Sequence, residues 1–309
     1  MAAEKSSKPR VVISACLNGF AYRFDGSSVH DQDVEEIKQR FDLISVCPEV
    51  AIGLGIPRKT IRLKEINRRV EVIQPETGLQ LTDKLKSFSA DFVSGLNENE
   101  IDGFILKAKS PSCGVKSAKV FGGKTGDQIL RKEDGMFAAA VRERFPYLPL
   151  TDEGRLKNRE LKWEFLTRVF LHFEFRQART DLRSLINFHS RAKYLFMSIC
   201  QKDLKTLGRI LAAHQKSMAN ETIRNYQLAF QSLMSKPIRK SNLINVLNHM
   251  FGYASRHLSS KEKSQFLSLL EKYRAGQVDL VTIIELLRSY GLRFELNYML
   301  EQYLLTDFS

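Results

Sequence analysis

Residues 10–17 read RVVISACL. Val11, Val12 and Ile13 in succession make a short buried strand, which stops just short of Cys16. Two more segments share this form, FDLISVC (41–47) and DGFILKAK (102–109). Between the first two, DQDVEEIKQRF (31–41) spaces Val34, Ile37 and Phe41 as one helical face. Before the third, LTDKLKSFSADFVSGL (81–96) puts Leu85, Phe88, Phe92 and Leu96 on one face, with Thr82 as the expected N-cap. Strand, helix, strand, helix, strand predicts an α/β domain with a parallel sheet covered by helices. A further helix, GMFAAAVRERF (135–145), is expected to stop at Pro146.

The second half reads as helix throughout. NRELKWEFLTRVFLHFEFRQ (158–177) follows the turn LPLTDEG, and NETIRNYQLAFQSLMSK (220–236) starts on Asn220 with Ile223, Tyr226, Phe230 and Leu233 as its stripe. Ser259 and Glu262 have capping-box spacing ahead of KSQFLSLLEKY. The expected organisation is a basic flexible tail over 1–9, an α/β domain over 10–150, a connecting helix over 151–180 and an all-α domain over 181–309.

Among 309 residues, Lys and Arg outnumber Asp and Glu by 48 to 35, a net charge of +13. The excess is uneven: residues 1–150 carry 23 positive and 20 negative groups, and residues 151–309 carry 25 and 15. Residues 181–250 hold eleven Lys or Arg against Asp181, Asp203 and Glu221. Such an asymmetry points to a polyanionic partner, RNA or DNA, although a merely soluble basic surface has the same composition. No run of apolar residues is long enough for a membrane span, and MAAEKSSKPR lacks the apolar core of a secretory signal. Four cysteines with no C-x-x-C pair suit a reducing compartment, and a cytoplasmic location is expected.

Cys16, Cys47 and Cys113 lie far apart in the chain, yet each falls at or just beyond the end of a predicted strand. The carboxyl ends of parallel strands line one crest, where ligands bind, so the three thiols can converge. Three thiolates suit a soft metal, zinc or an iron–sulfur cluster, and leave one position open for substrate. Buried or nucleophilic thiols remain the alternative. Cys200, within KYLFMSIC, lacks this setting and reads as a packed apolar residue.

Other chemistry gathers at the same crest. CPEVAIGLGIPRKT (47–60) places Glu49 and Arg58 after Cys47, and CLNGFAYRFDG (16–26) places Arg23 and Asp25 after Cys16. KSPSCG (109–114) sets Ser110 and Ser112 beside Cys113. A carboxyl group there can move a proton to or from water or a leaving group. AKVFGGKT (118–125) approaches a phosphate-binding loop, but Ala118 stands where that motif needs glycine and no good helix follows. The histidines at 30, 172, 189, 214, 249 and 257 form no metal-binding pair.

In chain order, ISACLNG, YRFDG, CPEVAIGLGIPR and KSPSCG resemble the thiouracil desulfidase family. FHSRAKYLFM, LGRILA, NVLNHMFGYASRHLS, EKYRAGQVDL and YMLEQYLL resemble the YbgA-like helical domain often fused to it. The resemblance implies a 4Fe–4S cluster bound by three cysteines, here Cys16, Cys47 and Cys113, with one iron open to the sulfur of a thiolated pyrimidine. It implies proton handling or positioning by Glu49 and by a serine, Ser110 ahead of Ser112. Arg23, Asp25, Arg58 and Ser112 are expected to bind substrate. Fusion to the helical domain resembles enzymes acting on 4-thiouridine in transfer RNA, so thiolated tRNA is the expected partner. Lys107, Lys109, Lys116, Arg239 and Lys240 are the candidate phosphate contacts. The expected activity is non-redox desulfuration of 4-thiouridine to uridine. The alternatives are a desulfidase for free thiouracil or another small thiolated base, and a non-enzymatic RNA-binding protein with a cysteine-ligated zinc site.

Overall fold

Runs of β-branched residues bounded by polar ones set the framework of the first half. The computed structural model describes residues 7–123, 127–214 and 218–306. The chain divides into two units, Met1–Asn158 and Arg159–Ser309. In the first, β1 (Arg10–Ser14) leads through a single 3-10 turn to α1 (Gln32–Lys38), β2 (Asp42–Val46) and the four-residue α2 (Pro48–Ala51). Then come β3 (Arg62–Ile66), β4 (Arg69–Gln74), β5 (Leu79–Gln80), α3 (Thr82–Gly95) and β6 (Gly103–Leu106). The unit closes with β7 (Ala118–Gly122), β8 (Gln128–Glu133), α4 (Met136–Arg144), β9 (Leu150–Asp152) and α5 (Glu153–Leu156).

The expected parallel sheet is present, in the order β2-β1-β6-β9. Ser14 pairs with Val46 and Ile13 with Ile105, so β1, β2 and β6 end nearly level. Val11, Val12, Ile13, Phe104, Ile105 and Leu106 are each fully buried, as strands covered on both faces must be. Phe137 and Val141 of α4, with Phe145 just beyond its end, close one side of this core, together with Val93 and the partly buried Phe88 and Phe92 of α3.

A second sheet, ordered β5-β4-β3-β7-β8, was not anticipated from sequence. Its strands pair antiparallel except β3 with β7, and only one face is apolar. Leu63, Val72 and Val120 pack there against Leu85, from the first turns of α3. One helix thus serves both sheets, its early turns on the second and its later turns on the first.

Local differences from the sequence reading have simple causes. Thr82 does not cap α3; its hydroxyl accepts from the Val72 amide at 2.8 Å, tying helix to strand. The motif-like AKVFGGKT is strand β7 running into residues 124–126, which lie outside the described residues, and strand β8 follows where a phosphate loop would need a helix. Of the expected tail, residues 1–6 lie outside the described residues, whereas Pro9 already accepts from the Asp42 amide at 2.8 Å. The stretch 151–180 is no single connecting helix: it finishes β9, makes α5 and then enters the helical unit.

That unit comprises α6 (Arg159–Ala178), α7 (Leu182–Ile199), α8 (Gln201–Ala212), α9 (Ala219–Met234) and α10 (Lys240–Ser255), followed by α11 (Ser260–Arg274), α12 (Leu280–Arg293) and α13 (Asn297–Leu300). Asp181 and Asp279 cap α7 and α12, and Ser259 with Glu262 completes the expected capping box on α11. Asn220 lies inside α9 and does not cap it. Cys200 stands at the extended break between α7 and α8, half-buried, where a continuous helix was expected. The core is aromatic: Phe175 stacks on Phe230 at 4.3 Å, with Phe188 and Phe196 edge-on around Phe230. The guanidinium of buried Arg168 donates to the Met234 and Lys236 carbonyls, each at 2.8 Å, satisfying the end of α9. Among the described residues no helix is long and apolar enough to cross a membrane.

His189 Nδ1 lies 3.0 Å from the Tyr226 hydroxyl. Burial, aided by the charge of Lys193, brings its imidazole from 6.5 down to about 4. Between those values the unfolded chain binds the proton and the folded chain does not, so stability is complete above the window and falls as pH drops through it. A titration of the ring by NMR, assigned with His189→Gln, is expected to show protonation only near the lower value; a midpoint at an ordinary histidine value would mean the ring is solvated.

Candidate active site

Because β1, β2 and β6 are parallel and nearly in step, the residues that follow them share one edge of the sheet. β2 lies on one side of β1 and β6 on the other, so the crevice opens at the switch point between them. Cys16 sits in the turn after β1, Cys47 immediately after β2, and Cys113 in the loop after β6. All three line one cavity of about 360 Å³, the size of a small-molecule site. The Cys113 loop is fixed on the start of α4: the Met136 amide donates to Pro111 O at 3.0 Å, and the Phe137 amide to Ser112 O at 2.9 Å. Gly135 permits this, since a Cβ there would stand 2.5 Å from the Ser112 carbonyl.

Desolvation dominates the thiols. Burial, with the neighbouring Cys47 charge, pushes Cys16 up to about 11, and burial pushes Cys113 up to about 12. Cys47 is raised as well, again by burial, against the pull of the Val50 amide at the start of α2. Metal binding takes the thiolate form, so a cationic group entering here displaces protons as it binds. The donor set, three thiols and no imidazole, fits a soft, thiophilic group. Among the described residues no three His, Cys, Asp or Glu side chains gather around a single ion position.

Glu49 and Arg58 form the charged wall. Glu49 Oε2 accepts from Arg58 Nε at 2.9 Å and lies 2.8 Å from its Nη2, and their side chains are 13% and 4% exposed. Arg58 also donates to Tyr22 O at 3.0 Å. The other carboxylate oxygen, Oε1, accepts from Ser112 Oγ at 2.8 Å, and Ser110 Oγ lies 2.9 Å from Ser112 Oγ. Ser110, Ser112 and Glu49 therefore make a continuous hydrogen-bonded chain beside Cys113, with Ser112 the closer of the two hydroxyls to the carboxylate.

Lys107 lies in the cavity wall, where its ammonium is paired with Glu153. Glu153 also accepts from the Ala108 amide at 2.7 Å. An ammonium held this way is a structural and electrostatic part of the cavity. Lys109 and Arg23 line the cavity too, whereas Lys116 is exposed on a flanking turn where its amide donates to Asp134. Asp25 lies outside the lining and holds a turn: Ser27 donates to it through hydroxyl and amide, which also keeps its carboxyl below the usual range. Arg239 and Lys240 are exposed at the start of α10 in the helical unit, Lys240 lying over the Tyr273 ring.

Three contributors escaped the sequence reading. Ser14, buried at the end of β1, accepts from the Lys107 amide at 2.9 Å and its hydroxyl favours the Cys113 thiolate. Glu153 follows the fourth parallel strand just as the cysteines follow the others, but β9 is three residues long and too short to read. Phe24, on the cavity wall, carries no polar group to draw notice.

Residues 11–153 match the family model described as 2-thiouracil desulfurase, and residues 193–309 match one described as a protein of unknown function, DUF1722. "Uncharacterized protein YbgA" of Escherichia coli (strain K12) is 30% identical over 108 residues, which are 35% of this chain. The chain spans 64% of the length of that curated relative. A solved structure of the 4Fe-4S-dependent thiouracil desulfidase TudS is 26% identical, with a TM-score of 0.37 over 51% of this chain and 97% of its own.

Removing the Arg58 charge leaves the Glu49 carboxylate buried without its counterion, a loss of about 3–5 kcal/mol. Denaturant unfolding of Arg58→Met is expected to show a loss of that order, part of it recovered in the double variant Glu49→Gln/Arg58→Met. Equal losses in single and double variants would mean the pair is not coupled.

Proposed function

We propose that this chain, whose residues 11–153 match the 2-thiouracil desulfurase model and whose residues 193–309 match DUF1722, removes sulfur from a thiolated uracil. Water supplies oxygen to the ring carbon and sulfur departs as hydrosulfide, with no change of oxidation state. The observation that carries the reading is the meeting of Cys16, Cys47 and Cys113 with Glu49 in one cavity. The three cysteines would hold a 4Fe–4S cluster, and when bound this group supplies a thiophilic Lewis acid for the departing sulfur.

The protein's own groups handle position and protons. Arg58 fixes Glu49 Oε2 and leaves Oε1 facing the serine pair. Oε1 is the site that takes a proton from the attacking water, directly or through Ser112 and Ser110, and returns it to the departing sulfur. Lys107, held by Glu153, places positive charge beside Cys16, where it favours thiolate.

The finer reading is that the thiolated uracil is 4-thiouridine within transfer RNA. Its support is the charge of the second half, which carries 25 basic against 15 acidic groups and includes the exposed Arg239 and Lys240. A base inside a stacked RNA must leave the stack to enter a cavity of this size. The same small cavity favours a second reading, a free thiolated base as substrate.

Anaerobic purification with assay of iron and acid-labile sulfide, followed by loss of thiocarbonyl absorbance from 2-thiouracil and from thiolated tRNA, tests these readings together. Iron and sulfide in near-equal amounts are expected, with turnover of tRNA ahead of the free base; turnover of the free base alone would support the second reading. Serine at 16, 47 or 113 should abolish iron binding, and serine at 200 should not. Absence of iron after anaerobic reconstitution would sink the proposal. Glu49→Gln is expected to keep its iron and lose roughly a hundred-fold in rate. Neutralising Arg239 and Lys240 together should weaken tRNA binding and flatten its salt dependence; an unaltered slope would place phosphate elsewhere.

A further inference from the structure

Residues 20–24, FAYRF, carry three aromatic rings, of which Tyr22 and Phe24 line the cavity. Phe24 is 41% exposed and at the same time forms part of the cavity wall with the three thiols and Glu49. A large apolar ring left this open at the cavity wall belongs to neither of the two core clusters described for this unit. The Arg23 guanidinium lies 5.6 Å from the Phe24 ring centroid.

The backbone around Phe24 is held in place. The Arg58 amide donates to Phe24 O at 2.8 Å, and Arg58 Nη2 donates to Tyr22 O at 3.0 Å. The next residues close a tight turn, with the Arg23 amide donating to Ser27 O at 3.1 Å and Gly26 to Arg23 O at 3.0 Å. Gly26 adopts a φ of +74°, which side chains resist. Asp25 locks this turn through Ser27. One arginine therefore ties the Glu49 carboxylate and the backbone bearing Phe24 to a single group.

A flat pyrimidine ring gains most from an aromatic surface whose orientation is settled before it arrives. We propose that Phe24 is the stacking surface for the substrate's pyrimidine ring and sets selectivity for planar bases in this cavity. The inference rests on the thiolated-uracil reading above and adds the residue that recognises the ring. Stacking is indifferent to the exocyclic sulfur, so the product uracil is held as well as the substrate.

The test uses the full-length, cluster-containing chain and reads equilibrium binding of uracil by calorimetry, alongside KM and kcat for 2-thiouracil. Phe24→Leu keeps an apolar side chain but removes the aromatic face. It is expected to raise both the uracil Kd and the KM about ten-fold, with kcat and iron content unchanged. Phe24→Tyr is expected to restore both to near the parent values. Parent-like binding in Phe24→Leu would overturn the stacking role and leave the desulfidase reading intact. Weakened uracil binding in Phe24→Leu, in a parent chain that binds uracil but desulfurates nothing, would uphold the stacking role and sink the activity. A parent chain that binds neither uracil nor 2-thiouracil would overturn the stacking role and the free-base reading, and turnover of thiolated tRNA would then decide the desulfidase reading by itself.

Discussion

The site depends on the parallel pairing of β1 with β2 on one side and β6 on the other. Parallel pairing sends three strands in one direction, and the register, Ser14 against Val46 and Ile13 against Ile105, ends them at one level. Successive strands placed on opposite sides of β1 force their following loops apart and open a crevice. Each loop brings one cysteine into it together with polar side chains: Arg23 after β1, Glu49 after β2, and Ser110 and Ser112 after β6. The thiols are thus neighbours for a topological reason, across a sequence span of nearly a hundred residues.

Burial then shapes the chemistry. The crevice is dry enough to hold its thiols in the neutral form, yet it contains two ion pairs, Glu49 with Arg58 and Lys107 with Glu153. Buried pairs stabilise a fold weakly and are costly to break, because each partner alone is a desolvated charge. Their value here is orientation. Arg58 meets a carboxylate oxygen and a backbone carbonyl at once, a geometry suited to a guanidinium and unavailable to lysine. Glu153 likewise joins the end of β6 to the start of α5 through both an amide and an ammonium.

The two units solve the packing problem differently. The first is built on two sheets served by α3, and its polar chemistry lies where strands end. The second is built on helices around stacked phenylalanines, with its charge outside except for the buried Arg168 among the described residues. An excess of basic groups on that exterior gives a broad positive field, unlike the directed contacts of the cavity.

Much of this was legible in the sequence because it depends on local pattern. The runs VVI, LIS and FIL set three strands, the spacing of Val34 and Ile37 set a helix, and the position of each cysteine after a strand placed it on one crest. The second sheet was not legible: its strands are short and half exposed, so alternation within each is weak, and its two hairpins, 62–74 and 118–133, meet only where β3 pairs with β7. Nor was the fate of Lys107. A lysine in a basic chain reads as a surface charge, and only the arrival of Glu153 from 46 residues away turns it into part of the cavity wall. The sequence alone determined which residues could do chemistry and which strand ends would carry them, since both follow from side-chain type and local period. The tertiary structure decided which of them face one another, which are desolvated and which are paired, because those properties belong to distances between segments and are written in no single one.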